Sequence, residues 1–556
     1  RWTAPLRKGM KMSSKHASLD FAKVRVSRRG VLTGAAATSA AVALPVAFPG
    51  SASAAEPYLP PVRSYTGTAV PTAQTRQMAN GFAYGYTSAL GAEMQAAGGP
   101  RGWFDSQLRP SEIGDAAAAA FADWYPTIGR TPVQHFDLAK MSNSYGYTVW
   151  SNHGRWSMLR RMFSNRQLHE VMTEFWCNHL HVYAGADLTW LWRESFDATI
   201  RDHALGRFDE MLQAVTTHPS MLVYLDADLS KVVRRRKNSG EVVTTERINE
   251  NLGRELLELH TVGRNSGYTE TEVKDSAYIL TGWTIDRFNT WKLSYDPESH
   301  YTGSVKVLGF TAENTQLDGR AVLTSYLQYL AHHPATAQRL ARKLAVRFVS
   351  DNPSDTLVNH LADVFRNSGT DIKATLTALI EHPEFTDAVG KKVRTPTEDV
   401  AATFRLLDVK MTKPSRATDA ANAIFYLCKT VGQVPFGWER PDGFPDDGEA
   451  WSSAGRMMGS YRVHNSTAGH WYPRTGVTYR THASWLPQSR IRFDLFVDHL
   501  CRTLHGRGAT SLVLGAACIV VDAQPGEIIT TDHRVIKWRM PRLIGLLLDT
   551  QQHLTK

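Results

Sequence analysis

Apolar residues recur every three to four positions through most of the chain from about residue 75 to residue 260. This spacing puts apolar side chains along one side of an α-helix and predicts amphipathic helices rather than strands. The most regular stretch contains Leu159, Met162, Phe163, Leu168, Val171, Met172, Phe175 and Trp176, and a second contains Phe208, Met211, Leu212 and Val215.

The same helical spacing returns at residues 320–410 and 490–556. Pro219 and Pro334 suit the first turn of a helix. Backbone N–H groups in that turn have no partner within the helix, so proline, which has no N–H, loses no hydrogen bond there. Residues 431–455 are rich in Gly, Pro, Asp and Trp and are predicted to be a loop. The sequence therefore predicts a mainly α, multi-helix globular fold with long irregular loops and little or no sheet.

The N-terminal region differs from the rest of the chain in charge. Residues 1–29 contain nine Lys or Arg and one Asp, so they carry eight of the ten units of net positive charge. The Arg28-Arg29 pair precedes an uncharged run over 31–48, and residues 52–54 form a small A-x-A-type cleavage site. This order predicts a twin-arginine signal peptide over residues 1–54 and export from the cytoplasm. The alternative is a buried, Ala-rich helix.

The mature chain is expected to start near Ala55. Residues 55–75 are rich in Pro, Ser, Thr and Ala and are predicted to be an extended leader. Residues 76–320 are expected to form an N-terminal helical part that carries both motifs described below, and residues 321–556 a C-terminal helical part. No stretch after the signal peptide is apolar for long enough to span a bilayer, so no transmembrane anchor is expected in the mature chain.

Charge and cysteine content exclude two broad classes of protein. Only two units of positive charge remain outside residues 1–29, so the body lacks the basic surface that nucleic-acid binding requires, and no nucleic-acid partner is expected. Four cysteines in 556 residues exclude a disulfide scaffold. Cys501 and Cys518 could still pair after export to an oxidising compartment.

Several common catalytic motifs are absent from the sequence. It has no G-x-S-x-G, no P-loop, no H-E-x-x-H, no C-x-x-C and no haem-attachment motif, which disfavours the corresponding serine hydrolases, nucleotidases, zincins and cytochromes. His169-Glu170 begins like a zincin motif, but Thr173 takes the place of the second histidine.

A first group of candidate residues lies at 175–181, with the sequence Phe-Trp-Cys-Asn-His-Leu-His. On a helix, Asn178 shares a face with Glu174 and His181, and His179 occupies the next face. The imidazoles could bind a metal or act as general acid or base. The alternative is an aromatic helix end in the core, with His179 hydrogen-bonded to the backbone.

A second group lies at 249–260, where a helix is predicted from about residue 249 to residue 262. Its polar residues fall within an arc of roughly 140° at 100° per residue; they are Glu250, Asn251, Arg254, Glu255 and Glu258. In a cleft, mutual repulsion and burial would raise the pKa of one carboxyl and give an acid beside a base, or an anionic set of metal ligands. The alternative is a surface helix with spaced ion pairs.

A basic stretch at residues 231–237 is predicted to be a charged loop, either a solvated excursion or a clamp for an anionic polymer. Trp190 and Trp192 could stack on sugar rings, although tryptophans are more often part of the core.

The order of these segments resembles the bacterial secreted family known as domain of unknown function 1800. The motifs that match are Phe175-Trp176-x-Asn178-His179; Arg201, Ala204, Leu205, Gly206 and Phe208; residues 219–226; Asn249-Glu250-Asn251-x-x-Arg254-Glu255-Leu256-x-Glu258-Leu259-His260; residues 267–270 and 280–283; residues 333–336; Lys343-Leu344; and Gly432-Gln433. The resemblance covers roughly residues 75–550. Cys177 departs from it, since many members have a histidine there. Membership implies export and a largely helical fold but no reaction.

Three functions fit these observations. The first is an exported hydrolase or lyase acting on an extracellular or cell-envelope polysaccharide, with Glu255, Glu258 and His179 as catalytic residues and Asn178, Asn251, Arg254 and Glu250 as substrate-binding residues. The second is a metal-dependent oxidoreductase or metallohydrolase, with His179 and the glutamates as ligands of one divalent metal. The third is a non-catalytic secreted binding or assembly protein. The sequence identifies neither a cofactor nor an oligomeric state.

Overall fold

Helices form the body of this protein, as the periodicity predicts. The computed structural model describes residues 59–556. Within them, the α-helices are α1 Ala73–Phe82, α2 Ser88–Ala96, α3 Pro100–Gln107, α4 Ala116–Ala119, α5 Pro132–Ala139, α6 Tyr145–Phe163, α7 Gln167–His179, α8 Arg193–His203, α9 Phe208–Thr216, α10 Pro219–Tyr224, α11 Asn251–Glu255, α12 Glu270–Ile279, α13 Arg320–His332, α14 Pro334–Phe348, α15 Asp355–Asn367, α16 Ile372–Glu381, α17 Pro383–Thr386, α18 Pro396–Leu406, α19 Ala420–Thr430, α20 Ala454–Ala468, α21 Phe493–His505, α22 Ser511–Val521, α23 Met540–Leu548 and α24 Gln551–Leu554.

Shorter helical turns and strands complete the described part. The 3-10 turns are Pro110–Glu112, Ala120–Trp124, Thr189–Trp192, Ala227–Leu229, Pro297–Ser299 and His482–Trp485, and the π-helical turns are Leu256–His260 and Val535–Arg539. The strands pair as antiparallel two-stranded sheets, which are β1 Lys231–Arg236 with β2 Val242–Arg247, β3 Trp283–Ile285 with β4 Leu293–Tyr295, β5 Val305–Val307 with β6 Phe310–Ala312, β7 Lys410–Met411 with β8 Val477–Thr478, and β9 Ile491–Arg492 with β10 Ile528–Ile529. The prediction of a mainly α fold with little sheet is confirmed.

Residues Lys231–Arg236 of the basic stretch form a strand, so the loop prediction there was wrong. This strand pairs with Val242–Arg247 in a hairpin, and Arg234 is bonded to the carbonyl oxygen of His300 at 2.8 Å. β-Branched residues are frequent in both segments, and Gly240, with a positive φ, lies in the turn between them. The outward-pointing Arg and Lys charges keep the hairpin edge solvated.

The predicted helix starts at proline are confirmed. Pro219 begins α10 and Pro334 begins α14, and in each case the preceding histidine accepts a hydrogen bond from a first-turn N–H through its ring nitrogen. Thr395, just before α18, forms a capping box with Glu398. Each of the two side chains accepts a hydrogen bond from the backbone N–H of the other residue, and these N–H groups have no partner within the helix.

Helix α7 lies inside the core rather than on its surface. Leu168, Met172 and Trp176 are fully buried. The core runs on into the second half of the chain, where Phe208 of α9 packs against Phe365 of α15 with ring centroids 6.1 Å apart. All described residues belong to one compact unit. The boundaries at 75/76 and 320/321 stay predictions, and the signal peptide lies outside the described residues.

The cysteines do not cross-link the described part of the chain. Cys177, Cys428, Cys501 and Cys518 are buried free thiols, so the suggested Cys501–Cys518 disulfide is not present. Over residues 59–556, no helix is both long and apolar enough to cross a bilayer.

Candidate functional site

The end of α7 holds His179 between two other segments. His179 is buried, its Nε2 lies 3.1 Å from the carbonyl oxygen of His260, and its Nδ1 lies 3.1 Å from Lys343 Nζ. Burial and the nearby Lys343 and Arg339 charges hold the pKa of His179 well below its usual value. The ring is therefore neutral, with Nε2–H donating to the carbonyl and Nδ1 accepting from the ammonium. A metal could bind it only by replacing one of these bonds.

Asn178 fixes the loop of residues 437–446, referred to below as the 437–446 loop. Its amide nitrogen donates to the Phe444 carbonyl at 2.8 Å, and its amide oxygen accepts from the Phe444 N–H at 2.7 Å. Gly443 has a φ of 73°, and a Cβ there would lie 2.1 Å from the Asn178 carbonyl oxygen, so only glycine fits. His181 Nε2 adds a bond of 2.8 Å to the Trp438 carbonyl. The candidate substrate residue Asn178 thus uses its amide to hold the loop.

The Asn178→Ala variant is expected to loosen the 437–446 loop and to lower the free energy of unfolding by about 1–3 kcal/mol, because both backbone groups of Phe444 lose their partner. Hydrogen exchange at the Phe444 amide and urea unfolding would measure the two effects. Asn289→Ala, at an exposed position where the amide bonds only to Asp286, is the control. Unchanged protection of the Phe444 amide would contradict the conclusion that Asn178 holds the 437–446 loop.

The second group of candidate residues does not lie on one regular helix, and that part of the prediction was wrong. Helix α11 ends at Glu255, and Leu256–His260 continue as a π-helical turn. The Thr261 hydroxyl donates to the Leu256 carbonyl at 2.6 Å, which meets one bonding need of the widened turn. Side chains on either side of the junction no longer follow 100° steps, and such single π turns often mark functional sites.

A glycine lets this segment pack closely against α12. A Cβ on Gly253 would lie 2.7 Å from the Ala277 backbone nitrogen, and the Ser276 hydroxyl donates to the Gly253 carbonyl. The close approach fixes the orientation of α11 and with it the start of the π turn.

Ion pairs join the outer charges of this segment. Arg254 binds both carboxylate oxygens of Glu270, at 2.6 and 3.0 Å, and lies 3.5 Å from Glu250 and 3.7 Å from Glu258. Glu258 also contacts Arg264 at 3.2 Å and is largely buried. Asn251 is exposed, and its side chain makes no hydrogen bond to any residue of 59–556. Arg254, Glu250 and Asn251 thus line the surface side of the segment.

Glu255 differs from these neighbours because no cation pairs with it in the described part of the chain. Its side chain is half-buried, and burial together with the Glu258 charge raises its pKa, against a smaller opposing effect of Arg254 and Arg264. The Asp442 charge on the 437–446 loop raises the pKa of Glu255 further. A half-buried carboxyl with a raised pKa beside an ion-paired carboxylate is the arrangement of an acid and a base.

The two candidate groups meet where His179 contacts the His260 carbonyl, and Lys343 of α14 lies beside this contact. Arg339 of α14 donates to the Leu259 carbonyl at 3.2 Å, one helical turn before Lys343. Burial and the Arg339 charge lower the pKa of Lys343 to about 8, against the Asp446 and Asp442 charges. The Lys343 side chain keeps some solvent exposure, so it lies at the inner wall of the region rather than deep in the core.

Motifs and spacing alone do not indicate Lys343, Arg339 or Asp442 as site residues. Lys343 belongs to one of the segments that match the family motifs, and Asp442 lies in the segment predicted to be a loop. The cluster of Asp, Gly and Pro at residues 441–447 was the available signal, since polar, sharply turning loops often carry functional groups.

The cavity beside α7 is a different feature. It holds about 50 Å³ and is lined in part by Glu174, Arg347, Thr397, Gln433 and Asn178. That volume accommodates one or two water molecules and no sugar ring. The cavity is therefore too small to bind a polymer.

A comparison with protein-family models agrees with this arrangement of motifs. The model of the family described as "Protein of unknown function (DUF1800)" matches residues 77–550. The chain belongs to the DUF1800 family. Both candidate groups of this DUF1800 member, together with Lys343 and the 437–446 loop, lie within the matched residues. No curated protein and no solved structure matches the chain.

Proposed function

We propose that this DUF1800 protein is an exported hydrolase or lyase that acts on an extracellular or cell-envelope polysaccharide. The observation that carries the proposal is the contrast between two neighbouring carboxyls. Glu255 is half-buried, has a raised pKa and lacks a cationic partner among residues 59–556, whereas Glu258 is paired with Arg254 and Arg264. A half-buried carboxyl with a raised pKa can hold the proton that a general acid gives, and a carboxylate paired with two arginines can serve as the base or nucleophile.

In a hydrolytic reaction, the protonated Glu255 gives its proton to the departing glycosidic oxygen. The Glu258 carboxylate takes a proton from the attacking water or attacks the sugar itself. Arg254 and Glu250, with the amide of Asn251, bind sugar hydroxyls or carboxylates at the exposed side. His179 and Asn178 act as positioning residues, the first through Lys343 and the second through the loop that carries Asp442.

Screening the purified mature protein against polysaccharides tests the proposal. Hydrolysis releases new reducing ends without a new chromophore, while elimination by a lyase adds a double bond that absorbs in the ultraviolet. Turnover of either kind on an extracellular polymer supports the proposal. Binding without turnover would instead favour the secreted binding protein, and turnover only after addition of a divalent metal would favour the metalloenzyme.

Export is the second element of the proposal, and it rests on the sequence of residues 1–54. Replacing Arg28 and Arg29 together by lysine is expected to retain the protein in the cytoplasm, because the twin-arginine route reads this pair. Cell fractionation and the mass of the secreted N-terminus would measure the effect. Lys8→Arg combined with Lys11→Arg keeps the charge elsewhere in the segment and serves as control. Normal secretion of the Arg28/Arg29 variant would contradict the route.

A further inference from the structure

Three histidine and aspartate side chains converge in the C-terminal half, away from the Glu255 region. Asp399 lies on α18, His464 on α20 and His553 on α24, and each is at most 2% exposed. One donor atom from each lies within 4.8 Å of the other two. His464 Nε2 is 2.9 Å and His553 Nε2 is 3.0 Å from the same oxygen, Asp399 Oδ1.

The protonation of His464 Nδ1 determines whether His464 Nε2 carries a proton or a lone pair in the neutral ring. His464 Nδ1 lies 2.7 Å from Asp549 Oδ1, and when Asp549 is ionised this oxygen only accepts, so the nitrogen then carries a proton. In a neutral ring, Nε2 then points a lone pair at Asp399 Oδ1, which also has only lone pairs. Two acceptors 2.9 Å apart need a positive centre between them, either a second proton on His464 or a metal ion.

The surroundings of His464 match those of a metal ligand. Histidine ligands usually give their outer N–H to a carboxylate, as His464 does to Asp549. The other Asp399 oxygen accepts from Ser460 at 2.6 Å and lies 3.5 Å from Arg456, so only Oδ1 faces the histidines. His553 Nδ1 is buried without a hydrogen-bond partner among the described residues, and this ring is therefore held only through the nitrogen that faces Asp399.

Two of the three separations between ligand atoms are close to those of a tetrahedral site, and the third, between the two histidines, is within 4.8 Å. Ligand atoms about 2.0 Å from zinc are about 3.3 Å apart, so the observed 2.9 and 3.0 Å need to open by only a few tenths of an ångström. The Thr403 hydroxyl, 3.1 Å from His553 Nε2, offers a fourth oxygen. Two imidazoles and one carboxylate favour zinc over magnesium or calcium, which prefer oxygen ligands.

We propose that Asp399, His464 and His553 bind one divalent transition-metal ion, zinc by their chemistry, with Asp549 orienting His464. The site is buried and joins α24 to α18 and α20, so the ion stabilises the fold rather than meeting a substrate. The proposal does not depend on the activity proposed above, because no Glu255-side residue takes part in it.

Metal analysis of the whole mature protein tests this site. The protein is purified without an affinity metal or chelator and its metals are quantified, and a second sample is loaded with cobalt for visible spectroscopy. We expect close to one zinc per chain, cobalt absorption typical of tetrahedral coordination, and a lower melting temperature after zinc removal. The His553→Gln and Asp399→Asn variants should lose the ion.

His505→Gln is the matched control, since His505 is a buried histidine nearby that bonds only to the Leu547 carbonyl. It should keep the zinc even where it lowers stability, which separates ligand loss from unfolding. The proposal is overturned when folded wild-type protein takes up neither zinc nor cobalt. In that outcome the second proton on His464 holds the cluster together. Equal zinc in wild type and in His553→Gln would also overturn it.

Discussion

The Glu255→Gln variant is expected to turn over the polysaccharide substrate about 10²–10⁴-fold more slowly in kcat, with little change in KM. Glutamine has the size of glutamate but cannot give a proton to a departing oxygen. The raised pKa of Glu255 keeps its proton available at a higher pH than an ordinary glutamate would. In the wild type, kcat should therefore fall as the pH rises through the pKa of Glu255.

The melting temperature distinguishes a loss of catalysis in the Glu255→Gln variant from a loss of folded structure. A carboxyl whose pKa is raised by folding is disfavoured once it ionises, so it costs stability as the pH rises through its folded-state pKa. A neutral glutamine side chain in place of Glu255 avoids this cost, and the melting temperature of Glu255→Gln at neutral pH should equal or exceed that of the wild type. Glu210→Gln, at an exposed position of α9, should change neither rate nor melting temperature. Full activity of Glu255→Gln would remove Glu255 from the proposed mechanism.

The helical architecture was predictable because it follows from local signals. A three-to-four spacing of apolar residues, and prolines such as Pro219 and Pro334, act within a few residues of where they stand. The hairpin at Lys231–Arg236 was missed for the opposite reason. The run of positive charges suggested a solvated loop, although the β-branched residues and the turn at Gly240 indicated strands.

The π turn shows where spacing arguments stop. Placing Glu255 and Glu258 on one face assumes 100° per residue through the whole segment, and the structure breaks that regularity after Glu255. The cause lies partly outside the segment, since Gly253 packs tightly on α12 and Arg339 of α14 binds the Leu259 carbonyl. One sequence, without its tertiary contacts, does not show such a change.

The candidate site was predictable only as a set of segments. The motifs at residues 175–181 and 249–260 do meet, with His179 Nε2 3.1 Å from the His260 carbonyl oxygen. Asn178 and His179 each bond to another part of the protein, Asn178 to the 437–446 loop and His179 to the His260 carbonyl and Lys343, and their functional roles stay predictions. Lys343 comes 164 residues after His179 in the sequence, and Asp442 comes 264 residues after Asn178. No periodicity in the sequence relates residues that are so far apart.

The Arg201→Met variant is expected to lower the free energy of unfolding at pH 7 by about 3–5 kcal/mol, because it leaves two buried carboxylates without their main partner. Arg201 binds both oxygens of Glu170 at 2.8 Å and contacts Asp197 at 2.5 Å. Both carboxylates are 1% exposed. This network gives a structural reason for Arg201, the first residue of the 201–208 motif. It gives one for Glu170 as well, which follows His169 as in a zincin motif although the second histidine of that motif is absent.

The effect of Arg201→Met should depend on pH in a definite direction. Burial opposes ionisation of Glu170, but Arg201 and Arg160 outweigh it and hold the pKa of Glu170 down to about 2; the pKa of Asp197 is also lowered well below its usual value. Unfolded Glu and Asp titrate at about 4.3 and 3.9, so this stabilisation is complete above about pH 5 and is lost as the pH falls towards 2. The stability difference between wild type and variant, measured by urea unfolding, should therefore be largest at pH 7 and shrink below about pH 4. Arg101→Met, at a half-exposed ion pair, should show little change at either pH. A difference that stayed constant with pH would mean that lost packing, rather than the buried ion pairs, accounts for the effect.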